Sequence, residues 1–303
     1  MLTIQDPHFD QLLGEMSVSW KGLPDKPEEN PENTLRALWY SAAGDPRPVQ
    51  KVDSAPLPSL DPDARACLRE MIELRASGVP LAYLTQCHSF MGIQLWCGPE
   101  AMIPRQVTEM LGHAALERAK RLADERGSAL VVDLCTGSGN LALALAYYEP
   151  RCTVVGADIS PEAVELAKRN AERLEISERV QFVQSDLFEA FESPQFIGQV
   201  DLITCNPPYL STACVETMAV EIKRFEPRVA FEGGPLGVNV LNRLVHDAPR
   251  FLKADSWLAF EIGPDQGGAM MRACDTAHGY ERVEAFRDGD GVVRAVLAKT
   301  GSR

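Results

Sequence analysis

The spacing of apolar residues divides the chain into two unlike parts. Across residues 9–16, 34–43 and 63–76 apolar side chains recur at helical intervals, and Pro24, Pro27, Pro31, Pro46, Pro48, Pro56, Pro58 and Pro62 punctuate the ground between them. This pattern predicts a small helical domain over residues 1–80 with proline-stiffened connections. Residues 90–97 are short, apolar-rich and end at Gly98-Pro99, with 101–103 following; together they predict a β-hairpin around Gly98-Pro99 in a linker over 81–106. From residue 107 to 303 apolar runs alternate with helical patterns, which predicts an α/β domain. Helices are expected over 108–124, 141–148, 161–174, 239–252 and 270–278, the third capped by Ser160 with Pro161 at its first position. Strands are expected over 130–134, 153–157, 180–184, 200–204 and 257–262, closed by a hairpin of 283–287 and 292–298 around Asp288-Gly289-Asp290-Gly291.

Composition narrows the classes. With 303 residues, 45% of them hydrophobic, the chain has ample material for a buried core. Its 43 acids exceed its 30 bases, and no block of Lys or Arg is interleaved with aromatics, so nucleic acid is disfavoured as the direct substrate. The eight cysteines are scattered singly, with no Cys-x-x-Cys pair and no His-Cys cluster, which fits reduced, buried thiols and no metal site. Residues 1–7 have neither the basic start nor the apolar core of a signal peptide, and no run approaches the roughly 18 apolar residues of a membrane span. A cytoplasmic location without membrane partners is expected.

The chemistry concentrates at strand ends. Val131-Val132-Asp133-Leu134-Cys135-Thr136-Gly137-Ser138-Gly139-Asn140 is an apolar run, a tight turn of small residues and the start of a helix, an arrangement that brings backbone close to a ligand. The third glycine of the dinucleotide fingerprint is absent, and two residues past Gly139 the chain has Leu141. Asp133 just before the loop instead suits a ligand with an ammonium and a carboxylate, as S-adenosylmethionine has. Asp158 and Asp186 end the next two strands, and an acid at the first of these can accept both ribose hydroxyls. Any one of the three could be a helix cap; three at successive strand ends favour adenosylmethionine over NAD.

Together with Ser185-Asp186-Leu187-Phe188 and Asn206-Pro207-Pro208-Tyr209, this stretch resembles the class I methyltransferases that modify glutamine side-chain amides in peptide-chain release factors and ribosomal proteins. The likeness covers about residues 66 to 300. It extends upstream to 78–85 and Ile103-Pro104-Arg105, and downstream to Glu226-Pro227, Glu232-Gly233-Gly234 and Glu261-Ile262-Gly263. The resemblance implies a Rossmann-like class I methyltransferase sheet with an antiparallel C-terminal hairpin, preceded by the helical domain and the hairpin linker. It implies S-adenosylmethionine, leaving as S-adenosylhomocysteine, held by Asp133, Cys135, Thr136, Gly137, Gly139, Asp158, Ile159, Asp186, Leu187 and Asn206. Arg105, Asn206, Pro207, Pro208, Tyr209 and Glu226 are implied at the substrate, with Asn206, Pro207 and Tyr209 as the catalytic set. The partner implied is a release factor or ribosomal protein. Gln106-Val107 and Gln86-Cys87-His88 depart from the family pattern, which leaves a small biosynthetic molecule as the alternative acceptor. Asn-Pro-Pro-Tyr also resembles the exocyclic-amine motif of nucleic-acid methyltransferases, the third reading.

Residue chemistry supports the motif independently. An amide nitrogen is a poor nucleophile because its lone pair is delocalised, so it must be held in line with the methyl group. The Asn206 side-chain oxygen and the Pro207 carbonyl can each accept one N–H and stabilise the positive charge that develops on nitrogen. Tyr209 can cover the planar group, and the released proton can leave to solvent. His88, His113, His246 and His278 are isolated and make no catalytic pair. Cys135 reads as a small loop residue, and the run Glu221, Arg224, Glu226, Arg228 as a solvated face or, beside the motif, as a segment that helps close over the substrate.

Overall fold

The computed structural model describes residues 7–302 apart from 21, 24 and 53–55. Residues 1–6, read above for a signal peptide, and Pro24 lie outside the described residues. The helical part contains α1 (Pro7–Ser19), α2 (Pro31–Ala42), α3 (Pro62–Ala76) and the short α4 (Leu81–Thr85). Asn30 and Asp61 cap α2 and α3 by accepting the N–H of Asn33 and Ala64, and a proline follows each cap, where its missing N–H costs nothing. The apolar faces meet around Trp39, packed with Phe9, Leu35, Leu38, Leu68 and Leu81. Trp39 Nε1 donates to the Pro58 carbonyl at 2.8 Å, which pins the proline-rich connection to this core.

The hairpin is present but displaced from its expected turn. Its strands are β1 (His88–Phe90) and β2 (Ile93–Leu95), so the chain reverses at Met91-Gly92, while 101–103 runs without a strand partner. Met91 and Gly92 have φ of 46° and 84°, the double left-handed turn that matches strand twist. Methionine is a poor residue for that conformation, and bonds from outside the turn hold it there. Met91 N donates to Glu109 Oε1 at 2.6 Å, Tyr148 Oη donates to the Met91 carbonyl at 2.5 Å, and Lys51 Nζ donates to the Gly92 carbonyl at 2.6 Å.

The remaining elements in chain order are α5 (Thr108–Arg126), β3 (Ala129–Leu134), α6 (Asn140–Tyr148), β4 (Cys152–Asp158), α7 (Pro161–Arg173), β5 (Val180–Gln184) and β6 (Val200–Cys205). They continue with α8 (Thr212–Thr217), α9 (Val220–Phe225), α10 (Asn239–Asp247), β7 (Leu252–Glu261), α11 (Gly267–Thr276), β8 (Tyr280–Arg287) and β9 (Val293–Thr300). The strands form one seven-stranded sheet in the order β5-β4-β3-β6-β7-β9-β8, parallel except for β9, which is antiparallel to both neighbours. The helix expected over 239–252 ends at Asp247, because Pro249 has no N–H to continue it, and β7 begins at Leu252, earlier than its pattern suggested.

Alternate residues of each strand feed opposite cores. Val131, Val154 and Leu202 pack under α5, α6 and α7, whereas Val132, Val155 and Ile203 pack against α10 and α11. Because both faces are covered, β3 and β6 read as continuous apolar runs, and a polar residue inside them stands out. From β3 the sheet grows toward β4 and β5 on one side and toward β6 and β7 on the other. The crevice of an open parallel sheet lies at such a reversal, outside the carboxyl ends of the strands. Loop 135–139 and residues 206–209 flank it. Among the described residues no helix is long and apolar enough to cross a membrane.

Candidate active site

Asp133 is fully buried at the end of β3. Its Oδ2 accepts the Thr136 hydroxyl and its Oδ1 the Thr204 hydroxyl, each at 2.6 Å, so the carboxylate ties the loop to β6. Burial lifts its pKa to about 6, against the pull of these two hydroxyls. Cys135 has a φ of 53°, a left-handed conformation in which any Cβ is crowded, which explains why small residues suit this position. Gly139 opens α6 in the same region at 83°, and a Cβ there would stand 3.0 Å from both Leu143 Cδ1 and Phe182 Cζ. Asp158 closes β4. Its Oδ2 accepts the Gly137 N–H at 2.8 Å and its Oδ1 the Ser160 N–H at 3.0 Å, while burial raises its pKa.

These groups line a cavity of about 220 Å³. Of the residues expected at the cofactor, Asp133, Cys135, Thr136, Gly137, Asp158, Ile159, Asp186, Leu187 and Asn206 all reach it, and Gly139 stands behind the wall. Ile159 is half exposed, an apolar edge suited to a flat base. Asp186 is paired with Arg243, Nη1 to Oδ1 at 2.9 Å. S-adenosylmethionine fits this donor set: the buried Ser138 hydroxyl on the same wall has no partner among the described residues, Asp158 stands where ribose hydroxyls are read, and the acids outnumber the bases around a ligand with two cationic groups and one carboxylate.

Asn206 follows β6, and its Nδ2 donates to Thr108 Oγ1 at 3.2 Å. Tyr209 Oη donates to Glu261 Oε1 at 3.0 Å, and Gln266 Nε2 donates to the Tyr209 carbonyl at 2.9 Å. Two glycines leave room for this turn, since a Cβ at Gly233 would lie 2.4 Å from the Pro208 oxygen and one at Gly237 2.2 Å from the Tyr209 oxygen. Residues 206, 207 and 209 line a second, wider cavity of about 820 Å³ together with Arg105, Gln106 and Val107, whereas Pro208 faces the first. The two cavities share Met102, Asn206 and Ala230, so the Asn206 side chain stands in the wall between them.

Two expected substrate residues are placed differently. Glu226 lines neither cavity: its Oε1 accepts from Arg105 Nη2 at 2.6 Å and its Oε2 from the Ile103 N–H at 2.9 Å, in full burial. Arg105 borders the wider cavity, but its guanidinium is engaged by Glu226, by Asp25 at 2.9 Å and by the Ile103 carbonyl at 2.7 Å. Of the charged run Glu221, Arg224, Glu226 and Arg228, only the two arginines form a solvated face. Glu221 binds Lys26 at 3.1 Å and Arg75 at 2.7 Å, both buried, while Arg228 stays exposed with Glu216 and Glu232. His88 is buried beside Gln50, and burial lowers its pKa to about 3, so it is neutral.

Several residues were given no role of their own by the sequence reading. Thr204 was visible, with Asp201, as a polar residue in a fully buried strand, and Glu261, already part of the family likeness, as a fourth acid at a strand end. Thr108, Ser138 and Arg243 carried no signal of their own.

Comparison with known proteins agrees with this geometry. Residues 114–276 match the family model described as a methyltransferase domain. The chain is 35% identical to the release factor glutamine methyltransferase of Moorella thermoacetica, covering 86% of this chain and 87% of that one. It is 36% identical to that of Salmonella typhimurium, over 77% and 79%. Among solved structures, the human hMettl16 catalytic domain in complex with the MAT2A 3'UTR hairpin 6 superposes with a TM-score of 0.53 at 17% identity, covering 87% of this chain and 92% of that one, a likeness of fold alone. The protein is an S-adenosylmethionine-dependent methyltransferase, and by sequence it belongs to the release factor glutamine methyltransferase family.

Proposed function

We propose that this enzyme methylates the side-chain amide nitrogen of a glutamine in a peptide-chain release factor, in the cytoplasm. The observation that carries the reading is the position of Asn206 in the wall shared by the two cavities, with Pro207 and Tyr209 on the wider side. When bound, S-adenosylmethionine supplies a methyl group on a cationic sulfur; a C–N bond forms as the C–S bond breaks, and its electron pair stays on sulfur. The chain's task is to hold and polarise the acceptor. Among the described residues no donor is bonded to Asn206 Oδ1 or to the Pro207 carbonyl, so both are free to accept the two amide hydrogens. Held there, the nitrogen meets growing positive charge with two fixed dipoles, and one proton then leaves to solvent. Tyr209, anchored by Glu261, offers a planar wall against the amide.

A protein acceptor is favoured by the wider cavity, which exceeds the volume of a lone side chain and has room for flanking backbone. Gln106 and Val107, the departures from the family pattern, sit on its rim and leave Asn206 untouched. The test is incubation with methyl-labelled S-adenosylmethionine, a purified release factor and a cell extract. Label on a release-factor glutamine supports the proposal, whereas label confined to nucleic acid or to small molecules rejects it.

A further inference from the structure

An asparagine amide has two chemically opposite ends, and only its oxygen can receive an N–H. Nothing in Asn206 itself decides which end faces the acceptor. The neighbours do. Asn206 Nδ2 donates to Thr108 Oγ1, and Thr108 is fully buried at the start of α5. Tyr209 Oη donates to Glu261 Oε1; the Thr108 hydroxyl acts on the same carboxylate, whose Oε2 is buried with no hydrogen-bond partner among the described residues. An ionised carboxylate only accepts. Tyr209 fills Oε1, so Oε2 is the acceptor open to the Thr108 hydrogen, which leaves Thr108 a lone pair to offer Asn206.

We infer that Glu261 and Thr108 are positioning residues for methyl transfer: the carboxylate at the end of β7 orients the Thr108 hydroxyl, Thr108 takes the Asn206 amide nitrogen, and the Asn206 oxygen is thereby turned toward the acceptor. The same carboxylate fixes the Tyr209 ring. This deepens the proposed function and rests on its reading of Asn206. A buried carboxylate with an unfilled oxygen is a poor choice for stability alone, because the missing bond is not offset by water. It is a good choice where two hydroxyls must be held in one sense.

The test uses Thr108→Val, which keeps the shape and removes the hydroxyl, Thr108→Ser, which keeps the hydroxyl, and Glu261→Gln, whose amide can donate to Thr108 and release it. Thr108→Val and Glu261→Gln are each expected to lower kcat about 10- to 100-fold, the scale of a misplaced reacting group. KM for the release factor and Kd for S-adenosylmethionine by calorimetry should stay within about twofold, a range far below the kcat effect. Thr108→Ser should recover most of the rate. In an Asn206→Ala background, Thr108→Val should cost nothing more, because it acts only through the missing amide. Wild-type kcat in Thr108→Val, or a full additional loss in the double variant, overturns the inference while leaving the function standing. Absence of wild-type transfer to any protein overturns both.

Discussion

Asp133→Asn is expected to stabilise the protein without its cofactor and to weaken cofactor binding. The carboxyl is wholly removed from solvent, and among the described residues no basic side chain bonds to it; the hydroxyls of Thr136 and Thr204 do, and the backbone N–H of Ala142 acts in the same sense. Burial lifts its pKa from 3.8 to about 6, with a smaller push from the charge on Asp158, against the pull of the two hydroxyls. A folded-state pKa above the unfolded one means that the stability contribution is complete below about pH 3.8 and is lost as pH rises through about 6. Two units correspond to roughly 3 kcal/mol of penalty at pH 7.5, where the group is ionised. Asparagine is the same size, accepts from one threonine and donates to the other, so about 1–3 kcal/mol of this should return as stability. Scanning calorimetry at pH 7.5 should show a melting temperature higher by a few degrees, the scale expected for about 1–3 kcal/mol in a protein of this size. The gap should narrow at pH 5.5, where the wild-type carboxyl is mostly protonated. Titration with S-adenosylmethionine should show affinity about tenfold or more weaker, the worth of about 1.4 kcal/mol of lost attraction to a cation. A cofactor-free Asp133→Asn protein that melts below wild type at pH 7.5 would refute the idea that this charge is kept at the expense of stability.

Asp158→Ala should weaken S-adenosylmethionine binding by about 100-fold or more, since two hydrogen bonds to a charged acceptor are worth about 1.5–3 kcal/mol each; unchanged affinity by calorimetry would remove the ribose assignment. Asn206→Ala should leave that affinity nearly intact and lower kcat by about 100-fold or more, the scale of a lost transition-state partner. The roles are reversed if binding fails and chemistry survives. Glu226→Ala leaves Arg105 buried without its main partner and should cost about 3–5 kcal/mol, read as a lower melting temperature. A raised KM for the release factor with an unchanged melting temperature would instead make Glu226 a substrate contact.

What the sequence conveyed about the site depended on where strands end. The acids at 133, 158 and 186 and the Asn-Pro-Pro-Tyr turn were legible because each stands at or just past the end of a strand, and a parallel sheet gathers those ends at one edge. Glu261 obeys the same rule. Its significance was hidden because its partner Thr108 lies 153 positions earlier on a helix, and pattern carries no pairing information across such distances. The hairpin turn was misplaced for a related reason. Gly98-Pro99 has strong turn chemistry, but Met91-Gly92 is held by Lys51, Glu109 and Tyr148 from three other elements, a tertiary override of local propensity. Glu221 and Glu226 looked exposed because charged residues usually are; the cations that draw them inward come from residues 26, 75 and 105.

That buried charge cluster joins the helical part to the segments that line the acceptor cavity. Lys26, Glu29 and Arg75 come from the helical part, Arg105 from the segment entering α5, and Glu221 and Glu226 from α9 and the residue after it. Ion pairs buried this deeply add little net stability, because losing water offsets most of the attraction, yet they are sharply directional and leave an uncompensated charge if any member moves. Ile222, on the same short helix as Glu221, and Met218 just before it form part of the acceptor cavity, as does Arg105. The bonds that set the angle of the helical part therefore also set the shape of the cavity beside Asn206. A substitution in the cluster should disturb the acceptor cavity from a distance, read as a changed KM for the release factor with an unchanged Kd for S-adenosylmethionine.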